Sequence, residues 1–134
     1  MKVIVCLDKN NGMLFNKRRQ SSDRLLRERM LALVKDKRLW MNTYSAKQFT
    51  DVSSICVDER FWEKAEQGEY CFVEDTDILP LADKIESIVI YRWQTVYPSD
   101  VKFPMTVLKD KPLMFTEEFE GYSHARITEE IYEW

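Results

Sequence analysis

The sequence predicts an α/β domain built on a mostly parallel central sheet, with antiparallel C-terminal strands and flanking helices. Three observations carry that expectation. Two runs, Val3 to Leu7 and Ile88 to Tyr91, are continuously apolar rather than alternating, the pattern of strands covered on both faces at the centre of a parallel sheet. Between them, strand-like and helix-like segments alternate. The last third is strand-rich and punctuated by Pro104, Pro112 and Gly121, as an antiparallel edge would be. With 134 residues, 45% of them hydrophobic, and only three glycines and four prolines, the chain reads as one domain over 1–134 without flexible linkers.

Along the chain, Val3–Leu7 is a strand closed by the turn Asp8-Lys9-Asn10-Asn11-Gly12, and Met13 to Gln20 reads as a mixed loop. Ser21-Ser22-Asp23 offers capping oxygens to a helix whose Leu25, Leu26, Met30, Leu33 and Val34 fall near one face. The basic run Lys35 to Arg38 suits that helix's C-terminal dipole. Leu39-Trp40-Met41 is a short strand, and Asn42-Thr43 caps a brief helix to Phe49. Ser54 to Val57 is a strand. Asp58 starts a helix carrying Phe61, Trp62 and Ala65, with Gly68 placed to end it. Tyr70 to Val73 is a strand, and Asp75-Thr76-Asp77 caps a helical turn through Leu81 and Ile85. Phe103–Leu108, Leu113–Phe119 and Ile127–Trp134 read as strands. For the last, a short helix is an open alternative, because Ile127 and Ile131 are four apart.

Composition excludes several functions. Twenty basic against 23 acidic residues give a net charge of −3, with no basic face for nucleic acid. No apolar run approaches the roughly 18 residues of a membrane span. Cys6, Cys56 and Cys71 are odd in number and lie in apolar surroundings, so buried, reduced thiols and a cytoplasmic setting are expected. Their spacing suits neither zinc nor a redox motif, and no metal site is expected.

Several phrases, in shared order, resemble dihydrofolate reductase along nearly the whole chain. Val3 to Asp8 with Asn11-Gly12-Met13 resembles that family's first strand and the mobile loop after it. Ser21 to Leu25 resembles the start of its first helix, and Leu39 to Tyr44 its second strand and next helix. Glu86 to Trp93, with Tyr97-Pro98 and Phe103-Pro104, resembles its long buried strand and the exit from it. Glu117 to Phe119, Ser123-His124 and Ile127 to Glu133 resemble its closing hairpin. The resemblance implies the family's fold, and it places Asp23 where a catalytic carboxylate orients the pterin. It also puts Tyr44 and Tyr91 near the ligand cleft. Asn11 and Arg19, in the loop after the first strand, join them as ligand-binding candidates.

The chain departs from the family where the nicotinamide cofactor would be held. Glu74-Asp75-Thr76 stands in place of a glycine pair whose bare amides would cradle a pyrophosphate. Met41-Asn42 replaces a Gly-Arg, and Tyr91 replaces the threonine that partners the acid. No arginine matches the one that holds the folate tail. No cofactor is therefore predicted, and NADPH is disfavoured. A diverged member that binds a small-molecule ligand in the cleft near Asp23, or serves as an interaction module, is expected, with a structural or homodimeric role as one alternative and an active reductase with a non-standard cofactor site as another. A zinc-dependent ribonuclease Z is excluded, since its His-x-His-x-Asp-His cluster needs several histidines and this chain has one.

Several candidate residues also suit simple structural roles. Asp23 also suits a helix start. Lys17-Arg18-Arg19-Gln20 is either a phosphate-binding loop or a solvated one. His124, the only histidine, must serve any Ser-His pair, yet a turn contact is its simpler role. Glu117, Glu118, Glu120, Glu129 and Glu130 read as a solvated strand face. Trp40, Trp62, Trp93 and Trp134 read first as core.

Overall fold

A computed structural model describes residues 1–50 and 52–134. Its main sheet has seven strands in the order β5-β4-β6-β1-β7-β10-β9. These are β1 (Lys2–Leu7), β4 (Leu39–Met41), β5 (Ile55–Val57), β6 (Tyr70–Phe72), β7 (Ser87–Arg92), β9 (Leu113–Phe119) and β10 (Ile127–Glu133). β1 pairs in parallel with β6 on one side and β7 on the other. β4 continues the parallel sheet between β6 and β5. β10 runs antiparallel to both β7 and β9. The mostly parallel sheet with an antiparallel C-terminal edge is as the hydrophobic runs imply.

The two-residue period of β1 divides the core. Val3, Val5 and Leu7 face one layer with Phe61, Ile78, Ile85, Ile88 and Ile90. Ile4 faces the other, under α1 (Arg24–Val34), with Leu26, Met30, Val34, Tyr91 and Trp93. The stripe Leu26, Met30, Val34 repeats every four residues and is the buried face of α1. A polar chain also fastens that helix to the sheet. Arg29 donates to Glu117 at 2.7 Å and Glu129 at 3.0 Å, and Glu129 accepts the Tyr91 hydroxyl at 2.7 Å. Glu129 is thus buried, not part of a solvated acidic face, because two donors offset the loss of water.

Three segments differ from the sequence expectation. Met13–Gln20 is not a loop: β2 (Gly12–Phe15) and β3 (Arg18–Arg19) form a hairpin that pairs with β8 (Val101–Lys102) in a separate three-stranded sheet. The two residues at its tip, Asn16 and Lys17, have φ of 54° and 63°, the left-handed pair that joins a tight hairpin. Phe103–Leu108 is not a strand. Pro104 removes a ladder donor, and Met105–Leu108 winds into a 3-10 turn. The helix expected from Asp58 is only α3 (Phe61–Lys64), with Arg60 at its N-cap, while Asp58 accepts from the Arg60 amide at 2.8 Å. Gly68 lies past it at φ +80°, in the turn into β6. The short helix after Asn42 is α2 (Thr43–Ala46), capped by the Asn42 side chain on the Ser45 amide. The helical turn after Asp77 is a 3-10 segment, Leu79–Lys84. Ile127 and Ile131 lie in a strand, so the helical alternative for the last segment is not realised.

Candidate functional site

Because β1, β4, β6 and β7 are parallel, their C-terminal ends share one edge of the sheet, the usual place for a ligand crevice in α/β folds. The residues just past those ends are Asp8, Asn42, Glu74 and Trp93. Asp8 accepts from the amides of Asn10, Gly12 and Tyr97 and from Gln20 Nε2, at 2.8–3.1 Å. Burial alone would raise its carboxyl, but these donors outweigh it and hold Asp8 below the usual range.

Beyond β6, Glu74 is nearly enclosed, with 7% of its side chain exposed, and forms a two-pronged ion pair with Arg19. Arg19 Nε meets Oε2 at 2.9 Å and Nη2 meets Oε1 at 3.2 Å. Ser45 Oγ at 2.7 Å and Gln48 Nε2 at 3.0 Å also donate to Oε1. Tyr44 completes the cluster: its ring lies 4.3 Å from the Arg19 guanidinium, and its hydroxyl accepts the Arg19 amide at 2.8 Å. Asp75, next in the chain, accepts from Asn42 Nδ2 at 2.8 Å. Burial and then the charge of Glu74 raise the nearby Cys6 thiol far above its usual value, and burial pushes Cys71 up to about 12, so neither is poised as a thiolate nucleophile.

The other sequence-selected residues lie apart from this cluster. Asn11 has φ of 64°, and its side chain accepts from Arg92 at 2.8 Å, bracing the turn after β1. Tyr91 is fully buried beneath α1, edge-on to Phe119 at 6.2 Å, and burial followed by Glu129 raises its hydroxyl.

Asp23 is the N-cap of α1, accepting from the Leu26 amide at 3.1 Å. The turn before β10 folds over the same carboxylate, which takes the Tyr122 amide at 3.0 Å and the Ser123 amide at 2.9 Å. Gly121 allows that approach, since a Cβ there would lie 2.6 Å from Asp23 Oδ2. His124 Nδ1 bonds the same oxygen at 2.8 Å, and its Nε2 lies 2.7 Å from Ser21 Oγ. Burial would raise Asp23, but this set of donors outweighs it and holds the carboxyl far below its usual value. From the sequence, His124 is the one base available to any Ser-His pair and, more simply, a turn contact. Ser21 is readable from the sequence as a cap, and Asp23 as a cap or, by the resemblance, as a catalytic carboxylate. Their meeting with a residue a hundred positions away has no local signal.

A cavity of about 340 Å³ opens beside the first cluster, walled by Met13, Leu79, Val101 and Pro104, with Asp75 and Lys102 among its polar groups. Among the described residues, no group of three or more His, Cys, Asp or Glu side chains converges as a metal ion requires, and no helix is long and apolar enough to cross a membrane.

No protein-family model matches the chain, and no curated protein matches it by sequence. Structure is more informative. A dihydrofolate reductase from Enterococcus faecalis, solved in complex with NADP(H) and RAB-propyl, superimposes with a TM-score of 0.68 over 98% of this chain and 94% of that one. The chain has the dihydrofolate reductase fold. At 9% identity the likeness extends to the fold alone.

Proposed function

We propose that this protein is a small-ligand-binding domain on the dihydrofolate reductase fold, without conventional NADPH-dependent folate reduction. The observation that carries the reading is the Arg19–Glu74 pair at the end of β6. The resemblance calls there for bare backbone. A side chain with four donors on its carboxylate stands in its place. Repulsion between Glu74 and a pyrophosphate is the lesser objection, because Arg19 neutralises that charge locally. The greater one is occupancy: the carboxylate fills the position, the nearest cation is already engaged, and Asp75 adds an unneutralised negative charge. A pyrophosphate does not suit this donor set.

The cavity beside Met13 and Val101 supports a compact, largely apolar ligand with one polar end; its volume lies at the small end of the range for ligand sites, about 300–1,000 Å³. The deciding experiment is a set of melting curves with NADPH, NADP, dihydrofolate, methotrexate and flavins. A ligand at about 100 times its dissociation constant adds about 2.7 kcal/mol, several degrees for a domain of this size. The expected result is no shift with any of them. A shift with NADPH, together with dihydrofolate turnover that Asp23→Asn abolishes, overturns the reading.

A second reading, self-association, is favoured by the edge strand β9, where Leu113, Met114 and Phe115 are exposed in a row. Sedimentation over a concentration series tests it, and a monomer throughout removes it.

A further inference from the structure

Ser21, His124 and Asp23 form a connected line. The Asp23 carboxylate, held ionised by its backbone donors, can only accept at Oδ2. The hydrogen between it and His124 therefore belongs to Nδ1. In the neutral imidazole this leaves Nε2 as an acceptor, and the 2.7 Å contact is then Ser21 Oγ–H donating to Nε2. The ring is fixed from its face as well: Trp93 packs on it with centroids 4.5 Å apart and planes at 32°. The side chain of Asp23 is 0% exposed and that of His124 13%, so the two are set in the protein, while Ser21 is half-buried at its rim. A shallow cavity of about 250 Å³ lies along the exposed edge of the imidazole, lined by Trp93, Tyr97 and Ala125 among others.

A purely structural tie explains less of this. Three amides already satisfy Asp23 and close the turn over α1 without His124. A serine just before a helix ordinarily turns its hydroxyl to a nearby backbone group, and Ser21 instead aligns it with a base that is itself oriented by a buried anion. We propose that Ser21 is a nucleophile and His124 its general base, with Asp23 as the positioning carboxylate, and that the trio hydrolyses activated carboxylic esters whose flat or apolar part lies in the shallow cavity beside Tyr97 and Ala125. This stands independently of the ligand reading above and survives its failure.

The chemistry closes without a further reagent than water. Ser21 Oγ bonds to the ester carbonyl carbon as its proton passes to His124 Nε2. The C–O bond to the leaving alcohol then breaks, and Nε2 returns the proton to the departing oxygen. Water, deprotonated by the same nitrogen, attacks the acyl-serine, releasing the acid and restoring Ser21. General-base assistance of this kind contributes about 10²–10⁴-fold, so activity is to be read on aryl esters, which need the least further help.

The test treats the whole chain with a fluorophosphonate, follows it by intact mass and peptide mapping, and measures p-nitrophenyl butyrate hydrolysis alongside. A single adduct on Ser21 is expected. Ser21→Ala and His124→Gln should each lose about 100-fold or more of the hydrolysis rate, with circular dichroism and melting curves close to the parent's. Ser21→Cys keeps the position and should be alkylated by iodoacetamide faster than the other three cysteines, an advantage that His124→Gln added to it removes. The proposal falls if the adduct maps elsewhere or is absent from the folded protein. It falls equally if Ser21→Ala hydrolyses the ester as the parent does, or if Ser21→Cys reacts no faster than the native thiols.

Discussion

Glu74 shows how one side chain can change what a sheet edge is able to bind. Four donors converge on its carboxylate, and removing any one leaves the rest in place, but removing the carboxylate leaves Arg19 as a partly buried cation without its counter-charge. Glu74→Ala is therefore expected to destabilise the protein by about 1–3 kcal/mol. Arg19 keeps a quarter of its side chain in water, which holds the cost at the modest end for an ion pair. The double variant Arg19→Leu/Glu74→Leu, with no charge left to strand, should recover most of that loss. Urea denaturation of the three proteins checks this, and a double variant no better than the single one sinks the account.

At the scale of elements, the strands and helices that bury a stripe or a face were legible and the small sheet was not. β1 and β7 announced themselves because being covered on both sides demands an unbroken apolar run, and α1 because Leu26, Met30 and Val34 recur every four residues. The β2–β3 hairpin carries neither signal: its strands have four and two residues, and the turn residues Asn16-Lys17 lack the glycine that marks such turns. The site divides the same way. Asp23 was readable as a cap because caps are local, whereas its meeting with Ser123 and His124 depends on a chain crossing that no short window contains. The hairpin yields its own prediction. A left-handed conformation costs a non-glycine residue roughly 1–2 kcal/mol, and the added chain entropy of a glycine gives back about 0.5–1. Lys17→Gly should therefore stabilise the protein by about 0.5–1 kcal/mol, visible as a higher denaturant midpoint with an unchanged slope. A lower midpoint would argue against the turn geometry.

Across the whole molecule, Asp8, Asp23 and Glu69 all have carboxyls held below their ordinary values: in each, burial pushes upward and donated hydrogen bonds outweigh it. A group whose folded pKa is lowered contributes stability that is complete above its unfolded value, near 4, and is lost as pH falls through the folded value. Stability is thus expected to stay level from pH 7 to about 5 as far as these groups are concerned, and to fall below about 4. Asp23→Asn should be less stable than the parent at pH 7, and the gap should narrow at pH 3, where the parent gives up part of what the carboxylate provides. Denaturation curves at the two pH values measure it, and a gap of constant size would show that the Asp23 charge contributes nothing.

The strand order has a consequence in time. β1 is the first strand along the chain, yet its neighbours β6 and β7 begin at Tyr70 and Ser87; β9, likewise, meets the sheet only through β10, which follows it. Synthesis therefore releases β1 well before either of the strands that pair its edges, and β9 cannot join the sheet until β10 has followed it. Until β6 and β7 follow it, β1 is an apolar strand with both edges unpaired, and that interval is when nascent chains are most open to sticking to one another.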